Sequence, residues 1–219
     1  MNLALFDLDH TLIPFDSGSV FTRFLIERGV LPAGFEARYL EHCRAYVAGT
    51  VDMVQMHRFT VGALALHTPE RLQVWLDEFA REVPPMIPNA ARDLVTKHRL
   101  AGHMCLMVTA TSRLVSQAFA NALGFEHLLA TQPQFDAQGR VTGEIDGVPC
   151  FREHKRTHLE AWLRTHGFAW RDVERSWFYS DSRHDLPLLE SVTDPVAVNP
   201  DAVLLAHAAE QVWPVIECR

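Results

Sequence analysis

The chain opens on a short apolar run that ends directly on two carboxylates. Residues 3–6 are continuously apolar, which is typical of a strand buried on both faces of a parallel sheet. Asp7 and Asp9 follow, separated by one residue. Two ionised carboxylates at the end of a buried strand repel each other, so the fold needs a cation beside them or a proton on one of them. The pair therefore predicts a buried strand that ends in a charged site.

Predicted strands and helices alternate through most of the remaining chain. Apolar runs indicate further strands, at residues 104–108, 127–130, 177–179 and 196–198. Apolar residues at helical spacing indicate helices between them, at residues 90–100, 112–123 and 154–165. Residues 134–145 are typical of a hairpin. This alternation predicts an α/β fold, with a doubly wound parallel sheet as its core.

One long segment interrupts the alternation. From about residue 15 to residue 85 the apolar spacing is helical and no strand pattern appears, and Pro84-Pro85 then ends the segment. We interpret residues 15–85 as an inserted all-helical cap domain. Residues 1–14 and 86–219 form the predicted α/β core.

Composition narrows the class of partner. The chain has 219 residues, of which 48% are hydrophobic, and a formal net charge of −7. An acidic balance argues against a nucleic-acid surface, and no apolar stretch is long enough to predict a membrane span. The four cysteines are scattered and no export signal is visible, so we expect reduced thiols in a cytoplasmic protein. Either a monomer or a homodimer is compatible with these features.

Several polar residues are predicted to meet at one edge of the sheet. Asp7 and Asp9 end the first strand, Thr109 ends the strand at residues 104–108, and Asp181 follows the strand at residues 177–179. Ligands of open α/β sheets bind beyond the carboxyl ends of the strands, where these side chains converge. Two further residues belong to the elements that follow: Lys155, at the start of a helix, and Asp185.

These residue types suit phosphoryl transfer. An aspartate can attack phosphorus and form an acyl phosphate, which divides a difficult hydrolysis into two steps. Positive charge is needed to bring a carboxylate against a phosphate dianion, and Mg²⁺ binds carboxylates together with phosphate oxygens. Lys155 is a second cation, and it is one of only two lysines, with Lys97, among 20 lysines and arginines. We expect the Thr109 hydroxyl to bind a phosphate oxygen.

The ordered motifs resemble those of the haloacid-dehalogenase-like hydrolase superfamily, in its phosphoserine-phosphatase-like branch. Residues 7–11 (DLDHT) match the first motif, D-x-D-x-T, and residues 106–109 (LMVT) match a strand that ends in Ser or Thr. Lys155 matches the lysine of the third motif, and residues 181–185 (DSRHD) match the paired aspartates of the fourth. The helical segment after the first motif is similar to that branch's cap.

The resemblance implies a role for each matched residue. Asp7 is the expected nucleophile and Asp9 the acid and base. Mg²⁺ is expected on the Asp7 side chain, the Asp9 main-chain carbonyl and Asp181, with Asp185 as a supporting residue. The chain differs from the family pattern at Ser180 and His154, where glycine is frequent.

The resemblance also implies the activity. We expect magnesium-dependent hydrolysis of a small, phosphoserine-like phosphomonoester through an aspartyl-phosphate intermediate. The alternatives are a phosphotransferase of the same fold and a catalytically silent binding protein. Asp16 and Arg58 are candidate contacts for the substrate's ammonium and carboxylate groups, although a helix cap is the simpler interpretation of Asp16.

Overall fold

Six parallel strands form the central sheet of the protein. The computed structural model describes residues 1–47 and 50–218. Within them the strands are β1 (Asn2–Phe6), β2 (Met104–Ser112), β3 (His127–Thr131), β4 (Pro133–Phe135), β5 (Val141–Ile145), β6 (Arg175–Ser180), β7 (Asp194–Val198) and β8 (Val215–Ile216). The sheet order is β3-β2-β1-β6-β7-β8, and β4 and β5 form a separate antiparallel hairpin. Because the chain adds strands on both sides of β1, the sheet is doubly wound, as the sequence predicts.

Helices cover both faces of the sheet. They are α1 (Ser17–Glu27), α2 (Phe35–Val47), α3 (Met53–Thr60), α4 (Pro69–Glu82), α5 (Asn89–Leu100), α6 (Arg113–Leu123), α7 (Glu153–Thr165), α8 (Leu186–Leu189) and α9 (Ala202–Glu210). Their ends follow local chemistry. For example, the Thr68 hydroxyl accepts a hydrogen bond from the Arg71 N–H and Pro69 opens α4, while α6 ends at Gly124 in the left-handed conformation (φ 73°). None of the described helices is long and apolar enough to span a membrane.

The alternating side chains of β1 divide the core into two layers. Ala4 and Phe6 pack in one cluster with residues of α5 and α6, whereas Leu3 and Leu5 pack in the other with residues of α7, α8 and α9. These four side chains are fully buried. A strand buried on both faces explains why the run at residues 3–6 is continuously apolar. It also means that the first polar residues after the strand emerge at the sheet edge.

The segment between β1 and α5 is helical, as expected. It contains α1 to α4, and Phe21, Phe24 and Phe79 join α1 to α4 through edge-to-face ring contacts. Residues 48–49 of the predicted cap lie outside the described residues. The division into a cap at 15–85 and a core at 1–14 and 86–219 stays a prediction.

The helical segment also contacts the β4–β5 hairpin. A Cβ added to Gly143 on β5 would lie 2.8 Å from the Gly62 Cα, so the two backbones touch. Beside this contact, the Arg58 guanidinium makes two hydrogen bonds of 2.7 Å to the Glu144 carboxylate. The hairpin therefore holds α3 and the turn after it at a fixed position.

The sequence places most of the elements correctly, but it shortens several of them and does not separate α2 from its neighbours. The predicted strand at residues 104–108 runs to Ser112, and the strand predicted at residues 177–179 runs from Arg175 to Ser180. Polar residues interrupt the apolar pattern near these strand ends, whereas the backbone pairing continues through them. The part of β2 missed in this way, residues 109–112, carries side chains of the candidate site.

Candidate active site

Asp7 follows directly on the central strand β1. Its main-chain N–H donates to the Tyr179 carbonyl on β6 at 3.0 Å, so the parallel pairing continues one residue beyond β1. The side chain is buried, with only 7% of the residue exposed. Asp181 follows β6 at the same edge of the sheet. Strand pairing thus brings the ends that carry Asp7 and Asp181 side by side, as predicted.

Lys155 lies in the middle of this cluster. It is 2% exposed, and its Nζ is 2.8 Å from Asp7 Oδ1 and 2.7 Å from Asp185 Oδ2. The Ser180 hydroxyl donates to Asp185 Oδ2 at 2.6 Å. Burial lowers the pKa of Lys155, but the two carboxylates together raise it by more than burial lowers it. The side chain is therefore held as the ammonium. A fixed cation therefore lies against the predicted nucleophile.

Negative charge still exceeds positive charge in the cluster. Burial raises the pKa of Asp7 to about 7, an effect that Lys155 opposes and Asp185 reinforces. Burial, and then the charges of Asp7 and Asp185, raise the pKa of Asp181 to about 8. Three carboxylates share one ammonium, so their mutual repulsion adds to the effect of burial on the pKa values of Asp7 and Asp181.

The donor set fits a divalent cation. The expected ligands are two carboxylates, of Asp7 and Asp181, and the main-chain carbonyl of Asp9, which are the hard oxygen donors that Mg²⁺ binds. Thr11 anchors one of them, because its Oγ1 accepts the Asp181 N–H at 3.0 Å and lies 3.3 Å from Asp181 Oδ1. No three His, Cys, Asp or Glu side chains cluster as a metal site within residues 1–47 and 50–218. The expected set contains only two such side chains, and a cation there would offset their mutual repulsion.

Asp9 lies on the other side of the edge, where α1 begins. The Ser17 N–H donates to Asp9 Oδ1 at 2.6 Å, and the Thr111 hydroxyl donates to Oδ2 at 2.5 Å. Burial raises the pKa of Asp9 and the charge of Asp16 raises it further, whereas the bonds from Ser17 and Thr111 lower it. The carboxylate is thus held in one orientation by two different elements.

Thr109 is almost fully buried on β2. Phe6 pairs with Met107 across the sheet, so Thr109 lies two positions beyond that pair, at the edge that carries Asp7. Its Oγ1 accepts the Thr111 N–H at 3.2 Å. The two threonines differ in their contacts: Thr111 donates to Asp9, whereas within residues 1–47 and 50–218 the Thr109 hydroxyl donates to no protein group.

Asp16 and Arg58 differ in their relation to the site. Asp16 caps α1, because its Oδ1 accepts the Ser19 N–H at 2.6 Å and also the Tyr39 hydroxyl at 2.5 Å. It remains close enough to Asp9 to raise the pKa of that residue. Arg58 is exposed and bound to Glu144 on the hairpin. Its predicted contact with substrate stays a prediction.

Sequence reasoning missed several neighbours of the site. Residues 35–47 were not singled out as a separate helix, yet Tyr39, Cys43 and Tyr46 recur on one face of α2 at spacings of four and three residues. That spacing was the available signal. The local sequence also gives no sign of the bond from Thr111 to Asp9, which crosses 102 positions of the chain.

Comparison with known proteins identifies the family of this site. The family model described as haloacid dehalogenase-like hydrolase matches residues 4–190, which include all four predicted motifs. A histidinol-phosphatase of Neisseria meningitidis serogroup C is 37% identical over 217 residues, covering 98% of each chain. A phosphoserine phosphatase of Mycobacterium tuberculosis is 26% identical, covering 99% of this chain and 70% of that protein.

Solved structures agree with the fold. A protein of unknown function from Bordetella pertussis Tohama I is 42% identical, with a TM-score of 0.92 over 100% of this chain and 99% of that one. A substrate-bound phosphoserine phosphatase has a TM-score of 0.66 at 16% identity, covering 99% of this chain and 92% of the other, and it shows likeness of fold alone. The protein therefore belongs to the haloacid dehalogenase-like hydrolase family.

Proposed function

We propose that this protein is a magnesium-dependent phosphatase that removes phosphate from a small phosphomonoester. The observation that carries the proposal is the buried contact of Lys155 with Asp7, 2.8 Å apart at the end of the central strand. An ammonium held against the Asp7 carboxylate is suited to draw a phosphate group towards that carboxylate. Relatives that are named phosphatases support the same reaction class.

The first step transfers the phosphoryl group to Asp7. An Asp7 carboxylate oxygen attacks phosphorus, and the bond from phosphorus to the ester oxygen breaks. Asp9 donates a proton to the departing alkoxide, so the leaving group is released as a neutral alcohol. The raised pKa of Asp9 supports this role, because a carboxyl that is partly buried and close to Asp16 retains its proton more readily.

The second step releases phosphate. Asp9, now ionised, accepts a proton from a water molecule whose oxygen attacks phosphorus, and the bond between phosphorus and Asp7 breaks. The products are inorganic phosphate and a regenerated Asp7 carboxylate. The Ser17 and Thr111 donors hold the Asp9 carboxylate in place for both proton transfers.

The remaining groups of the site bind the phosphate. Lys155 and the Thr109 hydroxyl donate to its non-reacting oxygens, where negative charge accumulates in the transition state. Asp185 and Ser180 keep the Lys155 ammonium oriented. A Mg²⁺ ion held by Asp7, Asp181 and the Asp9 carbonyl would offset the repulsion between the phosphate and the carboxylates.

The relatives favour one substrate among small phosphate esters. The histidinol-phosphatase matches over nearly the whole length of both chains at 37% identity, whereas the phosphoserine phosphatase is 26% identical. We therefore infer histidinol phosphate as the leading candidate and phosphoserine as the second. Asp16 is the candidate contact for the ammonium group that both esters carry.

The test is phosphate release from purified protein with histidinol phosphate, phosphoserine and an aryl phosphate, each with Mg²⁺ and with EDTA. We expect Mg²⁺-dependent release, with the highest kcat/KM for histidinol phosphate. Phosphate release without Mg²⁺ would contradict the metal requirement. Absence of release from every ester would favour a binding protein, and transfer to added alcohols in place of water would favour a phosphotransferase.

A further inference from the structure

Three aromatic rings from three separate segments meet beside the proposed phosphatase site. Tyr46 belongs to α2, Phe151 precedes α7, and His184 lies between β6 and α8. Their ring centroids are 5.8 Å (Tyr46–Phe151), 6.4 Å (Tyr46–His184) and 5.2 Å (Phe151–His184) apart, with interplanar angles of 53° to 57°. All three residues are half-buried, so each ring keeps some surface accessible. We refer to Tyr46, Phe151 and His184 as the aromatic rim.

The aromatic rim is connected to the buried ion pairs through the chain. Phe151 is four residues before Lys155, and His184 immediately precedes Asp185. Lys155 and Asp185 form an ion pair of 2.7 Å. Burial raises the pKa of Tyr46, and the charges of Lys155 and Asp185 both act on it. The Tyr46 hydroxyl is therefore within electrostatic reach of the residues that bind the phosphate.

One face of α2 connects the aromatic rim to the acid and base. Tyr39, Cys43 and Tyr46 share this face. Tyr39, nearer the start of the helix, donates to Asp16, and Tyr46, nearer its end, packs against Phe151 of the aromatic rim. Asp16 in turn is close enough to act on Asp9. This face of α2 therefore extends from the neighbourhood of Asp9 to the aromatic rim.

The local backbone holds Phe151 in place. The next residue, Arg152, has φ 52°, a left-handed conformation that a residue with a side chain rarely adopts. The Arg152 guanidinium carbon lies 4.9 Å from the Phe151 ring centroid, within the range of a cation–π contact. A strained residue that fixes an accessible aromatic ring at the edge of a polar site is a common feature of ligand contacts.

We propose that the aromatic rim is a binding site for a planar ring on the leaving group of the substrate. The inference rests on the proposed phosphatase function and names its substrate class: phosphate esters of alcohols that carry a flat five- or six-membered ring, imidazole included. Flat rings pack against aromatic side chains in offset or edge-to-face geometry, which a puckered ring of the same size cannot reproduce. The rim would thus select substrates by the planarity of the leaving group.

The test compares two esters that differ mainly in planarity, benzyl phosphate and cyclohexylmethyl phosphate. Wild-type protein is expected to show a kcat/KM for the benzyl ester higher by about tenfold, the ratio that ring packing of this kind supports. Tyr46→Leu and Phe151→Leu should each reduce that ratio towards one, and Tyr46→Phe should preserve it. Phe168→Leu is the matched control, because Phe168 follows the far end of α7 and is 37% exposed.

Binding of the uncleavable analogues phenethylphosphonate and cyclohexylethylphosphonate, measured by calorimetry with Mg²⁺, separates this inference from the proposed function. Preferential binding of the phenyl compound that is lost in Tyr46→Leu supports the aromatic rim even if no ester is hydrolysed. Hydrolysis of both esters with equal kcat/KM, or a preference that survives both Leu variants, would overturn the aromatic rim and leave the phosphatase function standing.

Discussion

The Lys155 ammonium lies 2.8 Å from Asp7 Oδ1, although 148 positions separate the two residues in the chain. Both side chains are buried, and the second bond of Lys155, to Asp185, fixes the ammonium from the other side. A buried lysine of this kind is tolerated only because carboxylates surround it. The contact therefore links the stability of the fold to the chemistry of the site.

Replacing Lys155 with methionine should destabilise the protein strongly. The substitution keeps most of the side-chain volume but leaves the buried carboxylates without their cation. At pH 8 we expect the free energy of unfolding to fall by about 3 to 5 kcal/mol, with loss of activity. Urea denaturation followed by circular dichroism measures the change.

The control for this prediction is the other lysine. Lys97 is exposed on α5, so Lys97→Met should change the free energy of unfolding by less than about 0.5 kcal/mol. Equal effects of the two substitutions would show that the buried ion pairs contribute nothing specific to stability.

Thr111 is expected to act as a positioning residue through its bond to Asp9. Thr111→Val removes this hydroxyl donor at nearly constant shape, so Asp9 loses its contact with β2 and keeps its contact with Ser17. We expect kcat to fall by about tenfold with little change in KM, because misplacing a proton donor affects the reacting complex more than binding. Steady-state kinetics of Thr111→Ser, which retains the donor, should remain close to wild type. Full kcat in Thr111→Val would exclude the positioning role.

Because Gly143 contacts Gly62, adding a methyl group at residue 143 should lower the stability of the fold more than adding one at an open glycine. Gly143 has φ 89°, and its added Cβ would lie 2.8 Å from the Gly62 Cα. Gly147 has a similar φ of 77°, but its added Cβ would meet nothing within 4 Å. Both alanine variants strain the backbone, by about 1 kcal/mol, but only Gly143→Ala also pushes α3 away from the hairpin.

Thermal unfolding of the two variants measures the difference. We expect Gly143→Ala to lower Tm clearly more than Gly147→Ala does. Indistinguishable Tm values would mean that the hairpin does not hold the helical segment.

His98 predicts how stability depends on pH. It is buried, with its Nε2 at 2.8 Å from the Tyr179 hydroxyl and its Nδ1 at 2.8 Å from His103 Nδ1. Burial, followed by the neighbouring His103 and Lys97, lowers the pKa of His98 from 6.5 to about 4. Between these pH values the unfolded chain binds a proton at His98 that the folded chain does not.

The free energy of unfolding should therefore decrease as the pH falls from 6.5 to 4. Other groups titrate in the same window, so the comparison is between wild type and His98→Gln, in which the His98 part of the slope disappears. Denaturation curves at several pH values give both slopes. Parallel slopes would show that His98 is not held neutral by the fold.

Local patterns were sufficient to predict the sheet and the motif residues. Continuous apolar runs locate β1 and β6 because both strands are buried on two faces, and parallel pairing then brings Asp7 and Asp181 to one edge. The family resemblance adds the roles expected of Lys155 and Thr109. Apart from Lys155, which lies at the start of α7, the residues of these inferences are within a few positions of a strand end.

The long-range polar contacts could not be predicted in the same way. Thr111 bonds to Asp9 because β2 continues to Ser112, and the apolar pattern gives no sign of that extension. Ser180, a departure from the family pattern, donates to Asp185, a contact that depends on the turn between them. The aromatic rim unites residues from three segments, and nothing in the local sequence around Tyr46 indicates its partners.

The most direct test of the central claim is to trap the intermediate on Asp7. The protein is mixed with Mg²⁺ and the preferred ester, quenched in acid and reduced with borohydride, which converts an aspartyl phosphate to homoserine. Peptide mass spectrometry should find homoserine at position 7 in wild type and none in Asp7→Asn, which should be folded and without turnover. Sustained phosphate release with Asp7 unmodified, or full activity of Asp7→Asn, would contradict the account.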